Sequence, residues 1–238
     1  MSIFSALFEQ GKVYNFEQAF GVKDITTDAM QAAIKDWALL YYQTDATKEE
    51  DPCQRIPVAV VSKLTKTTFS EYKAVPAKQN ADYIETILRE LDAVRVKAMQ
   101  QALIGGQCYL KPVFGLTGLS FTVVSRGSYI PLGRDERDVI TDIGMAERTV
   151  EGRNYYTLLE RRRVDASGNL TIESKLYRSE TEQVLGYETS LNALEKYSNL
   201  VPELFLPGVG SIGLVPVRTP QENLSLIHIS EPTRPISI

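Results

Sequence analysis

The sequence predicts an α+β fold, with N-terminal helices packed on an antiparallel β meander that comes after them. Three observations predict it. Residues 80–114 read as a long amphipathic helix, a two-glycine stop and a strand. Ahead of that stretch apolar residues recur at helical spacing, and beyond Phe114 the period changes to two. Short turns carrying Gly152 and Gly168 then separate three strand-like runs, as hairpin loops require.

Residues 1–24 are mixed; Ile3–Phe8 suggests a short helix, and Gly11 and Gly21 punctuate the stretch up to the next helix. That helix is expected from Asp28 to Tyr42, capped by Thr27, with Met30, Ile34, Trp37 and Tyr41 on one face. Trp37, the only tryptophan, is expected to anchor the core or a subunit contact. Gln43–Gln54 forms an acidic loop. Arg55–Lys73 fits two patterns. Its β-branched residues favour a strand. Its length, Pro57 near the first turn and the spacing of Val60, Val61, Leu64 and Thr68 favour a helix, and a helix is expected.

The central helix places Ile84, Ile87, Leu88, Leu91, Val94, Ala98 and Ala102 on its buried face. Asn80 is the expected N-cap, and Gly105-Gly106 the stop. Cys108, Leu110 and Phe114 then share one face of a strand. Pro112 cannot donate to a ladder, which puts this strand at an edge or interrupts it there. Strands are expected at Gly118–Ser125, Val139–Val150, Asn154–Val164 and Asn169–Tyr177, with Ser128–Gly133 as a turn region. Residues 183–206 hold one short helix bearing Leu191, Leu194 and Tyr197, and Leu206–Asn223 is loop-rich, ending in an extended stretch.

The chain has 238 residues and a net charge of −4. A domain of this size buries roughly 70–75% of its unfolded surface and needs no disulfide staples. The acidic balance argues against a nucleic-acid surface spread over the whole chain. The N-terminus has no basic run ahead of an apolar one and reads as no signal peptide. No apolar run approaches the about 20 residues of a membrane span. Cys53 and Cys108 read as free thiols of a reducing compartment. The one histidine, His228, lies near the C-terminus, so Ser–His and Cys–His nucleophile pairs cannot be built from the rest of the chain. No Cys/His metal spacing occurs. No residue is assigned a catalytic, cofactor-binding or metal-ligating role.

Three local motifs invite a chemical reading. Gly208, Gly210 and Gly213 match G-x-G-x-x-G, but Pro207 precedes them and Leu214–Val217 succeed them where a nucleotide site needs a strand and a helix, so a loop is the better account. Asp135, Glu136, Asp138 and Asp142 cluster, but with Arg134 and Arg137 interleaved the run reads as a solvated loop. Arg161, Arg162 and Arg163 lie on a predicted strand and alternate between its faces. They are the candidate DNA or subunit contacts.

Several stretches together resemble portal proteins of tailed bacteriophages, of the siphovirus type. They are Asp36–Tyr42, Ile56–Glu71, Ala102–Phe114, Phe121–Leu132, Tyr155–Val164, Ile172–Ser179 and Leu214–Asn223, in the family's order. Arginines stand in Leu158–Val164 where relatives often carry a histidine after the glutamate. The resemblance implies a structural subunit, not an enzyme, with no cofactor, in the virion after assembly in the bacterial host cytoplasm. It implies a dodecameric ring at one capsid vertex that serves DNA packaging, ejection and head-tail joining. Implied partners are further copies of the chain, the terminase packaging motor, capsid and head-completion proteins, and double-stranded DNA in the channel, with no membrane. Residues 1–223 would be an incomplete wing region, with stem and clip beyond Asn223. Leu224–Arg234 resembles a translated sequencing-library adapter, which makes 224–238 an expected artefactual, disordered tail. The second class of function is an intracellular α+β enzyme or ligand-binding domain with an unrecognised carboxylate site.

Overall fold

A computed structural model describes residues 15–42, 56–76, 80–115 and 118–219. The expected helix at Ile3–Phe8, the acidic loop with Cys53, and the tail 224–238 with His228 lie outside the described residues. The helices are α1 (Phe16–Phe20), α2 (Asp28–Tyr42), α3 (Ile56–Phe69) and α4 (Ala81–Gly105). The strands are β1 (Gln107–Gly115), β2 (Gly118–Val124), β3 (Tyr129–Arg134), β4 (Ile140–Glu151), β5 (Asn154–Val164), β6 (Leu170–Ser179), β7 (Tyr187–Thr189), β8 (Glu203–Leu206) and β9 (Val215–Arg218). All strand pairings are antiparallel, and the fold is α+β. The chain divides into two compact units. One unit runs up to Thr26 and resumes at Gly127–Gly213; the other is Thr27–Arg126 and resumes at Leu214.

The second unit is built on α4. This helix packs on a three-stranded sheet of order β2-β1-β9. Ala98 and Ala102 meet Cys108 and Leu110, flanked by Leu91, Val94, Phe121, Val123 and Val217. Two alanines at the contact bring the helix backbone close enough for the Cys108 thiol to donate to the Ala98 carbonyl at 3.2 Å. Gly106 ends the helix at φ 77°, as a stop with positive φ requires. Gly105 serves a different need: a Cβ there would lie 2.6 Å from the Cβ of Arg126. Asn80 does not cap with its side chain. It adopts φ 56°, and its carbonyl accepts from the Ile84 N–H instead.

Thr27 does cap α2, its hydroxyl accepting from the Met30 N–H at 3.3 Å. Met30, Ile34 and Ala38 are buried, while Trp37 and Tyr41 are half-buried. Gln101 on α4 donates to the Tyr42 hydroxyl at 2.9 Å. The ambiguous stretch is a helix, α3. Thr65 and Thr68 turn their hydroxyls back onto the carbonyls of Val61 and Leu64, so β-branched residues fit the helix without stranded donors. Its buried face is Val61 and Thr65; Val60 and Leu64, expected on that face, are exposed.

Pro112 lies on the central strand of this sheet. Pairing of β1 with β9 covers only Gln107–Leu110, so β1 is locally an edge at the proline. The Thr219 N–H donates to the Gly106 carbonyl, which sets the parity: the even-numbered residues of β1 turn their main-chain groups toward β9. The ring nitrogen of Pro112 therefore faces the side where β9 has ended. Phe114 keeps the alternation that puts it on the face of Cys108 and Leu110, but it lies at the hairpin end and is 80% exposed.

The first unit is the meander, a sheet of order β3-β4-β5-β6-β7, with β8 also on β6. Tyr155–Arg163 pairs in register with β4 on one side and β6 on the other. Leu159 and Tyr177 point to one face, where Phe16 and Ala19 of α1, Leu132 and Leu185 close a core. Tyr156, Leu158 and Leu176 point to the other, covered by Leu191, Leu194 and Tyr197. Those three side chains ride on two 3-10 turns, Leu191–Ala193 and Glu195–Tyr197, rather than the single helix expected. Gly144 admits the Phe16 ring; a Cβ there would sit 2.5 Å from it. Lys175 donates to the Ala19 carbonyl at 2.7 Å, a cation at the C-terminal end of α1. The expected turn at Ser128–Gly133 is strand β3. Pro131 and Gly133 argue against a strand, but β3 is an edge with register shifts around Gly133, where both are tolerated. Within this unit the described residues supply α1 alone as a helix on the sheet, whereas α2, α3 and α4 belong with the three-stranded sheet.

Candidate assembly surfaces

Alternation along β5 sends Arg161 and Arg163 to one face and Arg162 to the other. Arg161 is buried. Its Nη2 lies 2.6 Å from Asp142 Oδ2, its Nε donates to both oxygens of that carboxylate, and Nη1 reaches Glu173 at 3.5 Å. The hydrogen bond to Asp142 holds the Arg161 guanidinium above its ordinary range, against the lowering effect of burial. Arg162 is also buried. Its Nε donates to Glu160 Oε1 at 2.7 Å, and Nη1 donates to the carbonyls of Gly213 and Ile212 at 3.1 and 3.4 Å. Two of the three arginines thus spend their donors inside the fold, and Arg163 alone of the three is exposed. Asp142, expected in a solvated loop, is instead buried on β4 beside Arg161, and Glu160 is the site residue that the sequence did not single out. A carboxylate two residues before Arg162 was visible, but only register could place Asp142 beside Arg161.

The rest of the acidic run closes a turn. Asp135 accepts from the N–H groups of Arg137 and Val139, both at 2.9 Å, and Asp138 pairs with Arg134 at 2.7 Å. Among the described residues no group of three His, Cys, Asp or Glu side chains is arranged to hold a metal ion. Gly208, Gly210 and Gly213 all take positive φ near 70°. Gly208 donates to Asn169 Oδ1, Gly210 donates to the Gly168 carbonyl, and Gly213 packs against Arg162 and Leu170. Strand β9 comes after the glycines, so the loop does not lead into a helix N-terminus.

The remaining surface feature is apolar. Helix α3 buries Val61 and Thr65 on one side and exposes Ile56, Val60 and Leu64, spaced i, i+4, i+8, on another. Leu39 and Leu40 of α2 are exposed as well. In the meander unit, Leu204, Phe205 and Leu206 of β8 and the neighbouring Val201 and Val209 are exposed. Among the described residues no helix is long and apolar enough to cross a membrane. These features define a class: an α+β protein of two compact units in which Arg161 and Arg162 are paired inside the fold and apolar residues reach the surface. No protein-family model matches the chain, and no curated protein matches it.

Proposed function

We propose that the chain is a structural subunit of a bacteriophage portal ring, comprising part of its wing region. The observation that carries the reading is α3. It lies within Ile56–Glu71, one of the portal-like stretches, and is apolar on two sides, of which the described residues cover only one. A helix of this kind suits a subunit whose second face meets a neighbour. The buried Arg161–Asp142 and Arg162–Glu160 pairs support a structural sheet better than a reactive site, because each guanidinium is neutralised by its own carboxylate. On this reading, DNA, the packaging motor and the head-completion proteins are partners of the assembled ring. The test is electron microscopy of the product of the uninterrupted gene that continues past Asn223. Closed rings of about twelve subunits are expected, as cyclic symmetry allows. A product that stays monomeric at every concentration overturns the proposal.

A further inference from the structure

Among the described residues strand β2 has an open outer edge. In the sheet of order β2-β1-β9, no described strand pairs with its outer side. The parity set by the Thr219–Gly106 bond turns the odd-numbered residues of β1 toward β2, which pairs them with Ser120, Thr122 and Val124. The main-chain N–H and C=O groups of Leu119, Phe121 and Val123 therefore point outward.

Proteins protect such edges with prolines, charges, short length or cover, and the other edges here carry one of these. On β9, Pro216 lies at an outward position, by the same parity. On β8, the Pro202 carbonyl accepts from the Ser174 N–H, which turns Glu203 and Phe205 outward, so the edge carries a charge. On β3, the Pro131 carbonyl is taken by the Ile25 N–H. Strand β7 has three residues. Strand β2 has seven, Gly118–Val124, with neither a charge nor a proline among them.

We infer that the β2 edge pairs with the β2 edge of a second copy of this chain, antiparallel about a two-fold axis. The sequence is complementary to itself in one register. Phe121 would face Phe121 of the partner subunit, and Leu119 would face Val123 of the partner subunit. The outward groups of all three residues then bond in pairs, joining two three-stranded sheets into one of six. Phe121 and Val123 lie on the side of the sheet that packs under α4, so the apolar side chains of both copies stay on the helix side. Ser120 and Thr122 alternate to the opposite face, where Ser120 would lie across from Thr122 of the partner subunit. Like pairs with like on each face, aromatic with aromatic and hydroxyl with hydroxyl, and no charges oppose. A strand of other composition would have to match that alternation; a second copy matches it by construction. Neighbours in a closed cyclic ring are not related by a two-fold axis, so this contact belongs to the chain outside a ring. It goes beyond the portal reading and stands or falls separately.

The test is sedimentation of the full 238-residue chain over a concentration series, with amide exchange read at Leu119, Phe121 and Val123. The mean mass should double with concentration, and these three amides should gain protection in step. Ser120→Lys with Thr122→Lys places like charges across the axis and should abolish the dimer. Ser120→Glu with Thr122→Glu should do the same, and mixing the two variants should restore a dimer. Restoration also shows that both variants are folded. A chain that stays monomeric across the series overturns the inference. So does a dimer that survives either double variant, or one whose association leaves exchange at the three amides unchanged.

Discussion

Arg162 and Glu160 sit two residues apart on one face of β5, and both side chains are buried. Removing one partner of such a pair strands the other's charge in a poor solvent, which costs about 3–5 kcal/mol. Arg162→Met is therefore expected to destabilise by about that much, and adding Glu160→Leu should recover most of it. Chemical denaturation of both variants checks this; a single variant within about 0.5 kcal/mol of the parent, the range of neutral surface changes, would remove the pair from the account of stability. Cys108 allows a pH test. It is fully buried, and that burial pushes its thiol from 9.0 up to about 11. Between those values the unfolded chain gives up the proton while the native chain keeps it. Stability should thus fall as pH rises through this window, and the Cys108→Ala variant should lack that part of the slope. Melting temperatures of the two proteins compared from pH 9 to 11 decide it. The arginine run was legible as a feature of a strand. Its buried state was not, because burial depends on Asp142, nineteen residues away and reached only through register.

At the scale of elements, α4 gives the sharpest contrast. Ala98 is buried against Cys108, while Lys97 beside it is exposed. Ala98→Asp should cost several kcal/mol by forcing an unpaired carboxylate into the sheet contact, and Lys97→Asp less than about 1 kcal/mol. Equal losses on thermal melting would mean that the helix presents another face. The long helices and β4, β5 and β6 were readable from the sequence because their periodic patterns run for ten residues or more. Short elements were not. Strands β7 and β8 have three and four residues, too few for a period to show. Strand β3 carries Pro131 and Gly133, which local propensity counts against a strand and an irregular edge accepts. The inward face of α3 was also misjudged. Ile56, Val60 and Leu64 are as apolar as Val61, and composition does not say which side of a helix with two apolar faces is turned inward.

For the whole molecule, the portal reading predicts that this chain by itself does not close a ring, because stem and clip contacts would lie beyond Asn223. Light scattering should give species well short of about twelve subunits; a homogeneous assembly of that size would refute the fragment reading. The path of the chain has a kinetic consequence. Strand β9 pairs with β1 across more than a hundred residues, Cys108 with Val217, and the entire meander lies between them. The hairpins of β4, β5 and β6 close loops of a few residues and lose little entropy in doing so. Pairing of β1 with β9 requires a far longer closure, which the folded meander shortens by drawing its own ends in. During synthesis, β9 emerges after the meander is complete. Until then the β1 groups at Cys108 and Leu110 have no β9 to bond. Pulse-labelled exchange during refolding should protect the amides of Leu158 and Leu159 before those of Cys108 and Leu110. The reverse order would mean that the distant strands find each other first. On this route the last hydrogen bonds to form are those of β9, so the stretch of chain made last locks the sheet begun before the meander was made.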